Sequence, residues 1–132
     1  MTYLLDTHVL LWTIQETKRL SIKVIDLLES RDNLICASVI NYWEICIKVE
    51  KRKLHLEGFT PEEVPQLAKK MGFSSLKLNE SDASSFVNLS SGYHRDPFDR
   101  MIIWQAINNQ YTLITKDPEI KKYKEIGLKT FW

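Results

Sequence analysis

His94-Arg95-Asp96-Pro97-Phe98-Asp99-Arg100 gathers two carboxylates and two guanidinium groups directly before the apolar run Met101-Ile102-Ile103-Trp104. Three further acids stand at comparable junctions. Asp6 follows Tyr3-Leu4-Leu5, Asp117 follows the apolar stretch ending Leu113-Ile114-Thr115, and Glu44 lies inside the apolar run that begins at Ser38. Each has a structural explanation when taken alone. Asp96-Pro97 and Asp117-Pro118 both read as a helix N-cap followed by proline at the first helical position, Asp99 falls in a first turn where a carboxylate favours the helix dipole, and Asp6 could cap the helix beginning near His8. Glu44 lies on the stripe Ile40-Glu44-Ile47-Lys48. It either faces the core, where it needs a cation or a proton, or looks outward and pairs with Lys48 four residues on.

Taken together the acids point to chemistry. Unit charges roughly 4 Å apart repel by about 4 kcal/mol at an effective dielectric near ~20, so three or four clustered carboxylates need protons, basic neighbours or a divalent cation. An all-oxygen donor set suits Mg²⁺ or Mn²⁺ rather than zinc. Such an ion can activate water for in-line attack on a phosphodiester and stabilise the charge on the phosphate.

The elements that must position these acids follow from apolar patterning. Short apolar segments at Tyr3–Leu5, Asn33–Ala37, Phe73–Leu78, Tyr111–Thr115 and Gly127–Trp132 read as strands. Helices are predicted from His8 to Gln15, from Ser21 to Glu29 with Ser21 as cap, and from Ser38 to the basic end at Lys51-Arg52-Lys53. Others are predicted from Thr60 (cap, with Pro61 at the first helical position) to about Met71, from Ser81 to Leu89, from the opening heptad to about Asn109, and from Pro118 to Tyr123. Ser90-Ser91-Gly92 reads as an irregular stop. Strands alternating with helices imply an α/β domain with a mainly parallel sheet covered on both faces. Right-handed crossovers place the carboxyl ends of all strands on one edge, where Asp6 and Asp117 should project.

Composition narrows the function classes. With 132 residues, 44% hydrophobic and 27% charged, the chain has the balance of one globular domain. A net charge of +1 gives no global attraction to nucleic acid, so any such binding needs a local patch. No apolar run approaches the ~20 residues of a membrane span, and the N-terminus lacks the pattern of a signal peptide. A cytoplasmic location is expected. Cys36 and Cys46 have neither CxxC nor zinc-type spacing and read as small buried hydrophobes.

Asp6-Thr7-His8-Val9-Leu10-Leu11-Trp12, Ser38-Val39-Ile40-Asn41-Tyr42-Trp43-Glu44-Ile45, His94-Arg95-Asp96-Pro97-Phe98-Asp99-Arg100 and Leu113-Ile114-Thr115-Lys116-Asp117 resemble, in order and over essentially the whole chain, the PIN-domain family. Within it they resemble the VapC-type toxins, the ribonuclease half of type II toxin–antitoxin pairs. The resemblance implies a three-layer α/β/α fold with a central, mainly parallel sheet, one ribonuclease domain over residues 1–132, and Mg²⁺- or Mn²⁺-dependent endoribonuclease activity. It also implies a cognate VapB-like antitoxin and a homodimer. By position it implies Asp6, Glu44, Asp99 and Asp117 as the catalytic and metal-holding acids. Asp96 is a further acid whose place as helix cap explains it equally well.

An RNA substrate requires cations near these acids to hold phosphates. Arg95, Arg100, Lys116 and His94 are the candidates beside the acids; His8 is given the same surface or phosphate-contact role. Lys48, Lys51, Arg52 and Lys53 are candidates further out, with a solvated helix end as the plainer reading. Thr7, Ser38 and Thr115 could orient carboxylates or cap helices. Trp12, Trp43 and Trp104 read as core or interface residues. A haloacid-dehalogenase-like phosphatase would need an acid where His8 stands, and a receiver domain a pair of acids at the first strand. The remaining alternatives are a non-catalytic PIN-like module binding RNA or protein, and a stand-alone housekeeping nuclease.

Overall fold

Five parallel strands form one sheet in the order β3-β2-β1-β4-β5, in a computed structural model that describes residues 1–89 and 96–132. The strands are β1 (Thr2–Leu5), β2 (Leu34–Ser38), β3 (Ser74–Leu76), β4 (Thr112–Ile114) and β5 (Lys129–Phe131). The chain runs outward from β1 to β3, then crosses back to pair β4 on the other side of β1. The strand order therefore reverses between β1 and β4, with Leu5 opposite Ile114. A crevice opens beyond the carboxyl ends of two such strands, because their onward connections leave to opposite faces of the sheet.

Alternation along the strands sorts the core into two layers. Tyr3, Leu5, Ile35, Ala37 and Ile114 face one side and pack with Val9, Leu10, Val24 and Ala68. These come from α1 (Thr7–Gln15), α2 (Ile22–Glu29) and α4 (Val64–Lys70). Leu4, Cys36 and Leu113 face the other side and pack with Ile102, Ile103, Ala106 and Ile120, from α6 (Pro97–Asn109) and α7 (Pro118–Lys121). The result is a three-layer α/β/α domain, as the alternation of strands and helices predicted. No helix among the described residues is long and apolar enough to cross a membrane.

Local chemistry sets most element ends. Ser21 accepts from the Val24 amide, as predicted, and α3 (Val39–Glu50) opens on a reciprocal box between Ser38 and Asn41. Gly72, at φ +87, turns the chain out of α4 in the left-handed conformation that favours glycine.

Several expectations need correction. The helix predicted from Thr60 starts as a 3-10 turn, Pro61–Glu63, and becomes α-helical only at Val64; Pro65 then sits near the new start, where no amide proton is required of it. The helix predicted over Ser81–Leu89 is α5 (Glu80–Ser85) followed by a 3-10 turn at Phe86–Asn88. The segment Phe73–Leu78 contributes only the three-residue edge strand β3. Cys36 is buried, but Cys46 is exposed, being on the outer side of α3. Trp43 on the same helix is 58% exposed and so is not a core residue. The irregular stop at Ser90-Ser91-Gly92 lies outside the described residues.

Candidate active site

The acids after the two central strands meet at the crevice. Asp6 ends β1 and stands at the N-cap position of α1, yet its side chain caps nothing. Its Oδ2 instead accepts from the Thr115 hydroxyl across the β1–β4 boundary at 2.8 Å, while its own amide donates to the Ile114 carbonyl. Asp117, three residues beyond β4, does cap: its Oδ1 accepts from the Glu119 amide and opens α7. Thr115 serves both, because its hydroxyl also accepts from the Asp117 amide. Asp6, Asp99 and Asp117 together line a pocket of about 330 Å³, with His8, Trp12, Lys116 and Pro118 on its rim.

The second half of the site comes from the packing of α3 against α6. Asp96 caps α6 through Oδ1, which accepts from the Phe98 and Asp99 amides at 2.9 and 3.1 Å. This fixes the first turn that carries Asp99. Glu44 is only 1% exposed, and its Oε1 accepts from the Thr7 hydroxyl at 2.6 Å. Its Oε2 is paired with the Lys48 ammonium. Among the described residues, Glu44, Asp96 and Asp99 form a group whose carboxylate oxygens lie within 4.8 Å of one another, close enough to share a cation.

Electrostatics shows the site to be over-supplied with negative charge. Burial raises the Asp6 carboxyl above the ordinary range; the Thr115 hydrogen bond and His8 oppose this, and Glu44 and Asp117 add to it. Asp99 is pushed up to about 8, first by burial and then by the charges of Asp6, Asp96 and Glu44, with Lys48 pulling it back. For Lys48, burial alone would lower the ammonium. Its hydrogen bond to Glu44 and the charges of Glu44, Asp96 and Asp99 prevail and hold it above the usual lysine range. Asp6 and Asp99 are both raised in part by neighbouring carboxylates, which is the condition a divalent cation relieves.

The five predicted acids thus fall into one connected cluster. Of the predicted cations, Lys116 is exposed at the pocket rim. The Arg100 guanidinium is engaged elsewhere: it donates to the Leu89 carbonyl and lies 4.7 Å over the Phe86 ring, so it is tied to the 3-10 turn at Phe86–Asn88 and the residue after it. His94 and Arg95 lie outside the described residues. Lys48 was grouped with a solvated helix end; Lys51, Arg52 and Lys53 are exposed there, but Lys48 is drawn inward. Thr7 and Thr115 prove to be carboxylate partners rather than caps, and Ser38 is a cap that also donates to Gln105. Asn41 was not anticipated: it accepts from the Ser38 amide and donates to both the Leu5 carbonyl and the Thr7 hydroxyl, which aims the Thr7 proton at Glu44. The Ser38–Asn41 spacing, that of an N-cap and its third helical residue, was the available signal.

A switch-point crevice lined by strand-end aspartates and closed by a buried glutamate defines a class of α/β domain, and the comparisons agree on which. Residues 3–126 match the PIN domain, and the chain belongs to that family. It is 30% identical over 131 residues to Ribonuclease VapC22 of Mycobacterium tuberculosis, covering 99% of this chain and 98% of that protein. Among solved structures, VapBC2 from Rickettsia felis bound to a promoter DNA fragment matches with TM-score 0.73 and 20% identity, covering 99% of this chain and 98% of that one. DNA-bound VapBC from Salmonella typhimurium matches with TM-score 0.69 and 19% identity, covering 99% and 97%.

Proposed function

We propose that this protein is a metal-dependent endoribonuclease, a single catalytic domain over residues 1–132, and the toxin of a VapBC-type toxin–antitoxin pair acting in the cytoplasm. The observation that carries the reading is the convergence of Asp6, Asp99 and Asp117 on one pocket at the strand-order reversal, in a chain 30% identical along its length to a ribonuclease. Its partners on this reading are RNA, a VapB-like antitoxin and a second copy of the chain as a homodimer; the VapBC complexes it resembles in fold support the antitoxin.

The donor set fits a hard cation. Asp6, Asp117 and the close group Glu44–Asp96–Asp99 all offer carboxylate oxygen, and among the described residues neither cysteine nor histidine joins that group, which suits Mg²⁺ or Mn²⁺. Asp6, Asp99 and Asp117 would hold the ion, with Glu44 and Asp96 behind them. Bound there, it supplies the Lewis acidity and activated water that phosphodiester hydrolysis needs.

The chain's own residues prepare that chemistry. Thr115 orients Asp6, the Asp96 cap presents Asp99, and the Asp117 cap leaves its second oxygen toward the crevice. Lys116 stands where it can hold a backbone phosphate; His94 and Arg95 retain the same role, and Arg100 does not. Asp6→Asn and Asp99→Asn should each abolish RNA cleavage and growth arrest while leaving the circular dichroism spectrum unchanged. Cleavage at the wild-type rate by either variant, measured on purified protein with Mn²⁺, overturns the role given to that residue.

A further inference from the structure

The two ends of the carboxylate cluster are not equally open to a cation. At the Glu44 end both oxygens are already engaged: Oε1 by the Thr7 hydroxyl, Oε2 by the Lys48 ammonium. The Thr7 proton cannot turn away, because its oxygen is itself held by Asn41 Nδ2 at 2.8 Å. At the other end Asp6 and Asp117 each have one oxygen engaged, by Thr115 and by the Glu119 amide. Among the described residues their second oxygens carry no hydrogen bond. Asp6, Asp99 and Asp117 line the open pocket, and Glu44 does not.

The group whose spacing could grip a cation, Glu44–Asp96–Asp99, therefore already has an ammonium at its Glu44 corner, with the charges of Asp96 and Asp99 acting on it. Lys48 reaches it from one helical turn after Glu44 on the same helix, and its side chain is largely covered, at 27% exposure. In-line phosphodiester displacement gains from two positive centres, one toward the attacking and one toward the leaving oxygen, which many nucleases supply as paired metals roughly 3.5–4 Å apart. A tethered ammonium can stand in for one of them.

We propose that Lys48 is the built-in second cation of this site: it takes the Glu44–Asp96–Asp99 end of the cluster, so that the Asp6–Asp99–Asp117 end receives a single divalent ion. The inference rests on the metal-dependent reading above and goes beyond it by assigning the number of ions and a role to Lys48. Lys48 acts here as a positioning and charge-supplying residue.

The test is Mn²⁺ titration of the purified full chain by calorimetry, with electron paramagnetic resonance of the loaded protein. Wild type should bind about one ion per chain and show the spectrum of isolated Mn²⁺, whereas Lys48→Gln should bind about two and show an exchange-coupled pair. Lys48→Arg, which keeps the charge, should return to about one. Two ions in the wild-type protein, or an unchanged stoichiometry in folded Lys48→Gln, overturns the inference and leaves the metal-dependent reading standing. Absence of binding in the wild-type protein overturns both. If Lys48→Gln does not fold, Lys48→Met supplies the same comparison of stoichiometry, and two ions in the wild-type protein overturn the inference in either case.

Discussion

Asp6 and Asp96 occupy the same position relative to a helix. Both are N-cap residues with extended backbone, φ −64 and ψ 147 at Asp6, φ −63 and ψ 114 at Asp96. Asp96 uses its carboxylate as a cap, meeting two of the first-turn amides that would otherwise lack partners. Asp6 leaves the α1 amides alone and turns to Thr115 on the neighbouring strand segment. The difference comes from what lies beside each residue. Asp6 is flanked by the end of β4, where the Thr115 hydroxyl offers a donor, whereas the Asp96 carboxylate lies against the first-turn amides of α6. A carboxylate at a helix start is thus not one kind of residue. One caps its helix, and the other stays off its helix at the crevice, buried among like charges.

The largest test of this contrast exchanges oxygen for nitrogen at the two positions. Asp6→Asn should lower cleavage by at least about a thousandfold, the scale on which loss of a transition-state electrostatic partner is felt, while Asp96→Asn should lower it less than about tenfold. Single-turnover assays on a defined RNA, at fixed Mn²⁺, compare them directly. Equal losses would erase the distinction. Next in size, Thr115→Val leaves Asp6 in place but removes its orienting donor. Mn²⁺ affinity should fall by about 10–100-fold, as when a metal ligand loses its supporting hydrogen bond, and titration calorimetry measures it.

Stability separates the two residues in the opposite sense. Asp96→Ala should cost about 1 kcal/mol in urea unfolding, with Asp96→Asn restoring most of it, because asparagine caps nearly as well. Asp6→Asn should cost nothing and gain a little, since a buried repelled charge is removed. The smallest effect is a pH dependence. Asp99 has an ordinary carboxylate value of 3.8 unfolded and about 8 folded. Between these values the folded protein holds a proton that the unfolded chain has lost, so this group's contribution to stability is full below the lower value and is lost as pH rises through the upper one. Melting of the metal-free protein should therefore weaken from about pH 5 to about pH 8, and Asp99→Asn should flatten the trend.

The strand-end acids were legible in the sequence because a short apolar run followed by Asp-Thr or Lys-Asp carries its own direction: in a parallel sheet the residue after the strand must reach the carboxyl edge. Asp96 and Asp117 were legible as caps through the prolines that follow them. Glu44 and Lys48 were legible only as a pair of alternatives, inward acid or outward ion pair. The structure shows both at once, a buried acid with its lysine drawn in after it, because α6 covers a side of α3 that periodicity alone left ambiguous. Arg100 misled by proximity: it is next to Asp99 in sequence but about 100° around the helix from it, and Phe86 and Leu89 supply the better berth. Trp43 was read as a core or interface residue, and its 58% exposure excludes the core.

The pairing of β1 with β4 also governs when the site can exist. Asp6 is held by a hydroxyl 109 positions later in the chain, so β1 is made well before its β4 neighbour. Contacts of such long sequence separation close late, after the entropy of the intervening loop has been overcome. A chain still being synthesised up to Asn109 carries Asp6, Glu44, Asp96 and Asp99 but lacks Thr115 and Asp117. It has most of the acids and no crevice. The order of strands therefore leaves the crevice unformed until β4 has been made, and a cut or truncation ahead of β4 removes one of its walls.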